Sequence, residues 1–157
     1  PCPCGFLGDS VHRCSCKQAE IDSYKRKISG PLMDRIDMQI NLSRVEFSEL
    51  KTKEKGESSA AIRERVVKAR LVQQERLEAL GMHCNAQMGR SEVVKYCQLD
   101  AAAQNVMERY FNMLNLSARS HDRILRMART IADLEGAARI EAPHLAEAIQ
   151  YRSSILK

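Results

Sequence analysis

The sequence predicts a mainly α protein: an antiparallel helical bundle preceded by a Cys-rich, largely irregular segment. Three observations carry this expectation. Aromatic residues are only 4% of the 157 residues, with no Trp, while 44% are apolar, mostly Ala, Leu, Ile, Val and Met. That mixture suits helices packed through aliphatic faces and argues against an aromatic-rich β-sandwich. From Ser59 onward, apolar residues recur every three or four positions between helix start and stop signals. Finally, Cys2, Cys4, Cys14 and Cys16 crowd the first 16 residues among Gly and Pro, which favours irregular backbone there.

Element by element, Lys17 to Ile28 reads as a short helix, with Ile21, Tyr24 and Ile28 on one side. Ser29-Gly30-Pro31 ends it, and Pro31 opens one further turn through Arg35. Ile36 to Leu42 alternates strictly, with Ile36, Met38, Ile40 and Leu42 on one face and Asp37, Gln39 and Asn41 on the other. This is the clearest strand signal in the chain. No second strand of similar quality follows, so its sheet partners are expected outside this sequence, and the chain reads as the C-terminal end of something larger. Ser43 to Ser59 is polar and charge-dense. The division drawn from it is 1–50, a linker at 51–57, and a helical domain at 58–157.

The first long helix is expected from about Ser59 to Leu80, with Ile62, Val66, Ala69, Leu77 and Leu80 on its buried stripe and Gly81 as its stop. Gln73 interrupts that stripe and is expected to hydrogen-bond within the bundle. A short helix near Ser91 to Tyr96 precedes a third capped by Asp100, whose buried face holds Val106, Met107, Tyr110, Phe111 and Leu114. Ser117 caps a fourth, ending near Glu135-Gly136, and Pro143 opens a fifth carrying Leu145, Ala148, Ile149 and Leu156. Short connections imply a bundle.

The net charge is +5, compatible with a phosphate-bearing partner but too small to establish one. No apolar run approaches the roughly 18 residues a bilayer requires. The Pro-Cys-Pro-Cys start is unlike a secretory leader, so a cytoplasmic location is expected. No G-x-x-x-x-G-K-[ST] loop and no second acidic motif after a strand occur, so this chain alone is not expected to hydrolyse a nucleotide.

The cysteines form two C-x-C pairs nine residues apart. Pairs of thiolates on two tight turns supply the four soft ligands of a tetrahedral zinc site, with Gly5 and Gly8 permitting the turns. His12 is near enough to replace one sulfur. Disulfides, free thiols and an iron–sulfur cluster remain open. Four Cys leave no open coordination position, which points to a structural role.

Two arginines stand out. Arg35, between a Pro-initiated turn and the strand, is placed to reach a neighbouring subunit's phosphate; the plain alternative is a surface pair with Asp34 or Asp37. Arg119 occupies the first turn of the helix capped by Ser117, where the macrodipole disfavours a cation unless an anion docks. Arg119, Arg123 and Arg126 fall within about 60° of one another, opposite Ile124, Ala128 and Ile131. The plain alternative is a solvated basic face. His121 is expected exposed, and Tyr151-Arg152 a packed ring beside an exposed base.

In order, P-C-P-C-G (1–5) with the following C-x-C, S-G-P-L-M-D-R-I-D (29–37), A-R-L-V-Q-Q-E-R (69–76), C-N-A-Q-M (84–88), the stretch from L-S-A-R to T-I-A-D-L (116–134) and E-A-I-Q-Y-R (147–152) resemble the C-terminal part of the magnesium-chelatase-like AAA+ ATPases. Within these, the Cys cluster makes the chain similar to the ComM-type branch. The resemblance implies that the helical region is the AAA+ lid domain and that 1–50 is the tail of the ATPase core. It implies that Arg35 is the arginine finger offered to the adjacent subunit's ATP, and that Arg119 is the sensor-2 arginine that meets the γ-phosphate. It further implies ATP and Mg²⁺ in the intact protein, a homo-oligomeric, hexameric ring, and DNA as partner, with branch migration in natural transformation as the task. Two competing expectations are a stand-alone zinc-knuckle nucleic-acid module using Arg123 and Arg126, and a magnesium-chelatase-type ATPase subunit.

Overall fold

The computed structural model describes residues 2–9, 11–40, 42, 45, 51, 56–114 and 116–153. The chain divides into two compact units, one of residues 1–36 and 40–54, the other of residues 37–39 and 55–157. The 51–57 linker lies largely outside the described residues, as do Asn41 and Leu156.

In the first unit, helix α1 spans Gln18–Arg26 and α2 spans Gly30–Arg35. The Glu20 carboxylate accepts from the Lys17 N–H at 2.7 Å, closing the start of α1, and Ile21 is its buried residue. The Ser29 hydroxyl accepts from Leu32 N–H at 3.3 Å at the start of α2. Ahead of them, the turns at Gly5 and Gly8 both require φ of +83°, a conformation only glycine adopts without strain.

The second unit contains α3 (Ser59–Leu77), α4 (Arg90–Tyr96), α5 (Ala101–Leu114), α6 (Ala118–Glu135) and α7 (Ala142–Ser153), with 3₁₀ turns at Glu78–Leu80 and Asn85–Gln87. Local chemistry sets the ends. Ser58 and Ser117 accept from Ala61 and Ser120 N–H, and Asp100 accepts from Ala103 N–H at 2.7 Å. Gly81 and Gly136 stop their helices in the left-handed conformation. Helix α6 packs against α3, α4 and α7. Leu77, Val93, Met107, Ile124, Ala128, Ile140, Leu145 and Ile149 are among the residues of the shared core.

Two sequence expectations are corrected here. Residues 36–40 are not in a strand, and no named strand occurs among the described residues. Extended backbone becomes a strand only with a paired edge, and Ile36, Met38, Ile40 and Leu42 stay exposed, Leu42 to 90%. The stripe of α3 is buried only in its second half, at Ala69, Gln73 and Leu77. Ile62, Val66 and Leu80 are more than 40% exposed, whereas Leu77 joins the shared core cluster.

Candidate functional site

The turns at Gly5 and Gly8 bring four sulfurs together. The Sγ atoms of Cys2, Cys4, Cys14 and Cys16 all lie within 4.8 Å of one another. Cys2 is 3.4 Å from Cys4 and 3.6 Å from Cys14, and Cys4 is 3.6 Å from Cys14. A tetrahedron of sulfurs about 2.3 Å from a zinc ion has S···S edges of about 3.8 Å, so the donor set fits that ion in type and in spacing. Backbone N–H groups of Phe6 and Ser15 directed at Cys4 lower its thiol to about 6. Cys16 is pushed up to about 12: the Cys4 backbone lowers it, but desolvation and the neighbouring thiols outweigh that effect. His12 is not in this group. Its ring stacks on Phe6 at 4.9 Å, and its N–H donates to Asp9 Oδ1 at 2.7 Å. Among the described residues the four thiols are the one group of three or more His, Cys, Asp or Glu side chains arranged to hold a metal. Of the remaining cysteines, Cys97 sits in the core, where burial pushes its thiol up to about 12.

Arg35 ends α2 with its side chain exposed. The surface pair with Asp37 considered for it does not form: Asp37 Oδ1 lies 2.8 Å from Arg123 Nη1 instead. The side chain of Asp34 lies outside the description.

Arg119 is exposed in the first turn of α6 and makes no hydrogen bond or ion pair among the described residues. That turn has no acidic residue. The Ser117 hydroxyl accepts from Ser120 N–H at 3.1 Å. Beneath it, Arg152 is buried and donates to Ser120 Oγ at 3.3 Å. The expected exposed base at Arg152 is thus corrected: its guanidinium finds a hydroxyl at the helix start. His121 is half-buried rather than exposed, with Nδ1 3.1 Å from Asp122 Oδ1 and its ring edge-on to Phe111.

The basic face expected from Arg119, Arg123 and Arg126 is not continuous. Arg126 donates to the Ala86 and Met88 carbonyls at 3.2 and 3.0 Å, and the Arg123 side chain is only 16% exposed. Both are half-buried, which leaves Arg119 as the exposed one of the three.

A buried polar network joins α3 to α6. Arg76 grips Asp133 through two bonds of 2.5 and 3.0 Å, Arg129 adds a 3.0 Å bond to the same carboxylate, and Asn85 donates to it at 2.8 Å. Gln73 accepts from Asn85 N–H at 3.2 Å, the internal bond expected of it. Burial lowers the pKa of Arg129 against the opposing pull of Asp133. Sequence reasoning missed Arg76, Arg129 and Asp133. The available signal was the four-residue spacing of Arg129 and Asp133 directly beside the buried Ala128 and Ala132.

Residues 56–152 match the family model described as magnesium chelatase, subunit ChlI C-terminal, and residues 1–50 match that described as magnesium chelatase, subunit ChlI. The chain is similar to the competence protein ComM of Haemophilus influenzae, at 38% identity over 156 residues, covering 99% of this chain and 30% of that protein. It is also similar to the YifB proteins of Salmonella typhimurium, at 36% identity, and Escherichia coli, at 34%, each over 98% of this chain and 29% of the relative. The chain therefore spans less than a third of the length of these relatives. No helix among the described residues is long and apolar enough to cross a membrane.

Proposed function

Because the chain belongs to the magnesium chelatase subunit ChlI family, we propose that it forms the C-terminal part of an ATP-driven AAA+ motor that acts on DNA. Its helical unit is the lid over the nucleotide, and its activity requires the phosphate-binding parts of the longer protein. The observation that carries this reading is Arg119: an exposed cation in a helix turn that has no acid, against the preference of the helix dipole. An anion docking on the N–H groups of that turn reverses the preference, and the γ-phosphate of ATP supplies it. Arg119 then acts as sensor 2, drawing α6 and the bundle packed on it toward the nucleotide.

Arg35 is the arginine finger given to the next subunit, which requires a ring; a hexamer is the expected assembly. Its exposure at the end of a Pro-containing turn suits a group that acts outside its own subunit. ATP is the substrate, with Mg²⁺ neutralising the transferred phosphoryl group. DNA as partner, with branch migration during transformation as the task, rests on the likeness to a competence protein. Zinc on Cys2, Cys4, Cys14 and Cys16 completes the reading. With four thiolates it is coordinatively closed, and it fixes the backbone of 2–16 without taking part in ATP turnover.

The test uses the full-length protein. Arg119→Ala and Arg35→Ala should each lower ATP turnover by about 10³-fold. Mixing the Arg35→Ala protein with a subunit that binds but cannot hydrolyse ATP should restore activity, because each supplies what the other lacks. Turnover unchanged in both variants would overturn the assignment.

A further inference from the structure

Arg35 is followed by a segment that has no strand partner among the described residues, yet the segment is held. Gln39 N–H donates to the Tyr151 carbonyl at 2.9 Å, near the end of α7. Asp37 Oδ1 lies 2.8 Å from Nη1 of Arg123 on α6. Residues 37–39 accordingly form one compact unit with the helices, although Arg35 stands only two positions earlier in the chain. Arg123, in turn, lies one helical turn beyond Arg119 and shares its face.

The burial of this ion pair is lopsided. The Arg123 side chain is 16% exposed and that of Asp37 is 62% exposed. Nε and Nη1 of Arg123 are buried and make no hydrogen bond, so the carboxylate sits at ion-pair distance but off the N–H direction. Asp37, Met38, Arg123, Arg126 and Met127 border a cleft of about 340 Å³. Arg126 beside it is another cation, and it is engaged by carbonyls. A largely desolvated guanidinium with a like charge nearby depends on its counter-ion. Among the described residues, Asp37 is the carboxylate at ion-pair distance from it. The helical unit therefore has a standing need for the residue that follows the finger by two positions, and the Gln39–Tyr151 bond fixes the register of that docking.

We propose that Arg123 is a positioning residue for Arg35: through Asp37 it ties the chain that follows the arginine finger to the helix that carries Arg119. The consequence is that a nucleotide held at α6 in one subunit biases the placement of the finger that the same subunit offers to its neighbour. This rests on the motor reading above and adds a route of communication between adjacent sites through Arg123 and Asp37.

The experiment is steady-state ATP hydrolysis by the full-length protein, with thermal melting run in parallel. Arg123→Ala and Asp37→Asn should each lower kcat about tenfold, the size of a typical coupling between sites, while leaving the KM for ATP in place. The charge-reversed double variant, Arg123→Asp with Asp37→Arg, should recover most of the loss. Wild-type kcat in Arg123→Ala, alongside lost turnover in Arg35→Ala, overturns this proposal and spares the motor reading. Wild-type turnover in Arg35→Ala overturns the motor reading itself. A fall in kcat that tracks a fall in melting temperature, with no recovery in the reversed pair, marks Arg123 as merely structural and overturns the proposal as well.

Discussion

Among the described residues of the Cys-rich unit, only Cys2 and Ile21 are buried, whereas the helical unit packs fifteen buried apolar residues into one cluster. Each fully buried aliphatic side chain contributes about 1.5–3 kcal/mol, while ordering each residue's backbone costs about 1–2 kcal/mol. Packing is thus sparse among the described residues of the first unit. The four converging thiols are the group there that zinc, as proposed above, would cross-link, with a favourable contribution to folding. On that proposal, the contrast is between a region ordered by ligation and a region ordered by packing, within one short chain.

Metal removal breaks the comparison most severely. Protein prepared without chelator should contain one zinc per chain by mass spectrometry, and a Cys4→Ser, Cys14→Ser double variant none. In hydrogen exchange, stripping the metal should abolish amide protection around residues 2–26 while leaving α6 and α7 protected. Protection that survives chelation in the first unit would show that packing, not ligation, orders it.

Within the helical unit the largest expected effect comes from Asp133. Its carboxylate is fully buried and serves both Arg76 and Arg129. Asp133→Ala leaves two guanidinium groups without their shared counter-charge, and loss of one partner of a buried pair costs about 3–5 kcal/mol. Urea denaturation of the 157-residue chain measures this, and the zinc content should not change.

How much of this was legible in the sequence follows the range of the interactions. Helix ends were readable because Asp100, Ser117, Gly81 and Gly136 act within three or four residues of themselves. The cysteine grouping was readable because both C-x-C pairs fall within fifteen residues. The partners of Arg76 and Arg152 were not, because Asp133 and Ser120 lie 57 and 32 positions away. The alternation at Ile36 to Leu42 illustrates the converse. The local pattern is genuine, but no strand pairs with it among the described residues, and Asp37 and Gln39 are instead taken up by α6 and α7.

Gly136 gives a smaller, cleaner effect. Its φ is +75°, and a Cβ added there would meet nothing within 4 Å. Gly136→Ala therefore tests backbone strain without a clash, and about 1–2 kcal/mol should be lost. A neutral result would mean that α6 can end without the left-handed turn.

The smallest expected effect tests the edge of the packed region. Ile62 and Val66 continue the stripe that buries Ala69, Gln73 and Leu77, yet they are 41% and 43% exposed while Leu77 is fully buried. If burial and not periodicity sets the energy, Ile62→Gln and Val66→Thr in the 157-residue chain should shift unfolding by no more than about 0.5 kcal/mol. Leu77→Ala, one residue type on the same helix, should cost about 2–5 kcal/mol. Periodicity predicts similar costs along the stripe; burial predicts a steep rise toward its C-terminal end. Equal costs at Ile62 and Leu77 would mean that the first half of α3 is covered in solution, and the boundary between exposed and packed helix would have to be drawn before Ser59.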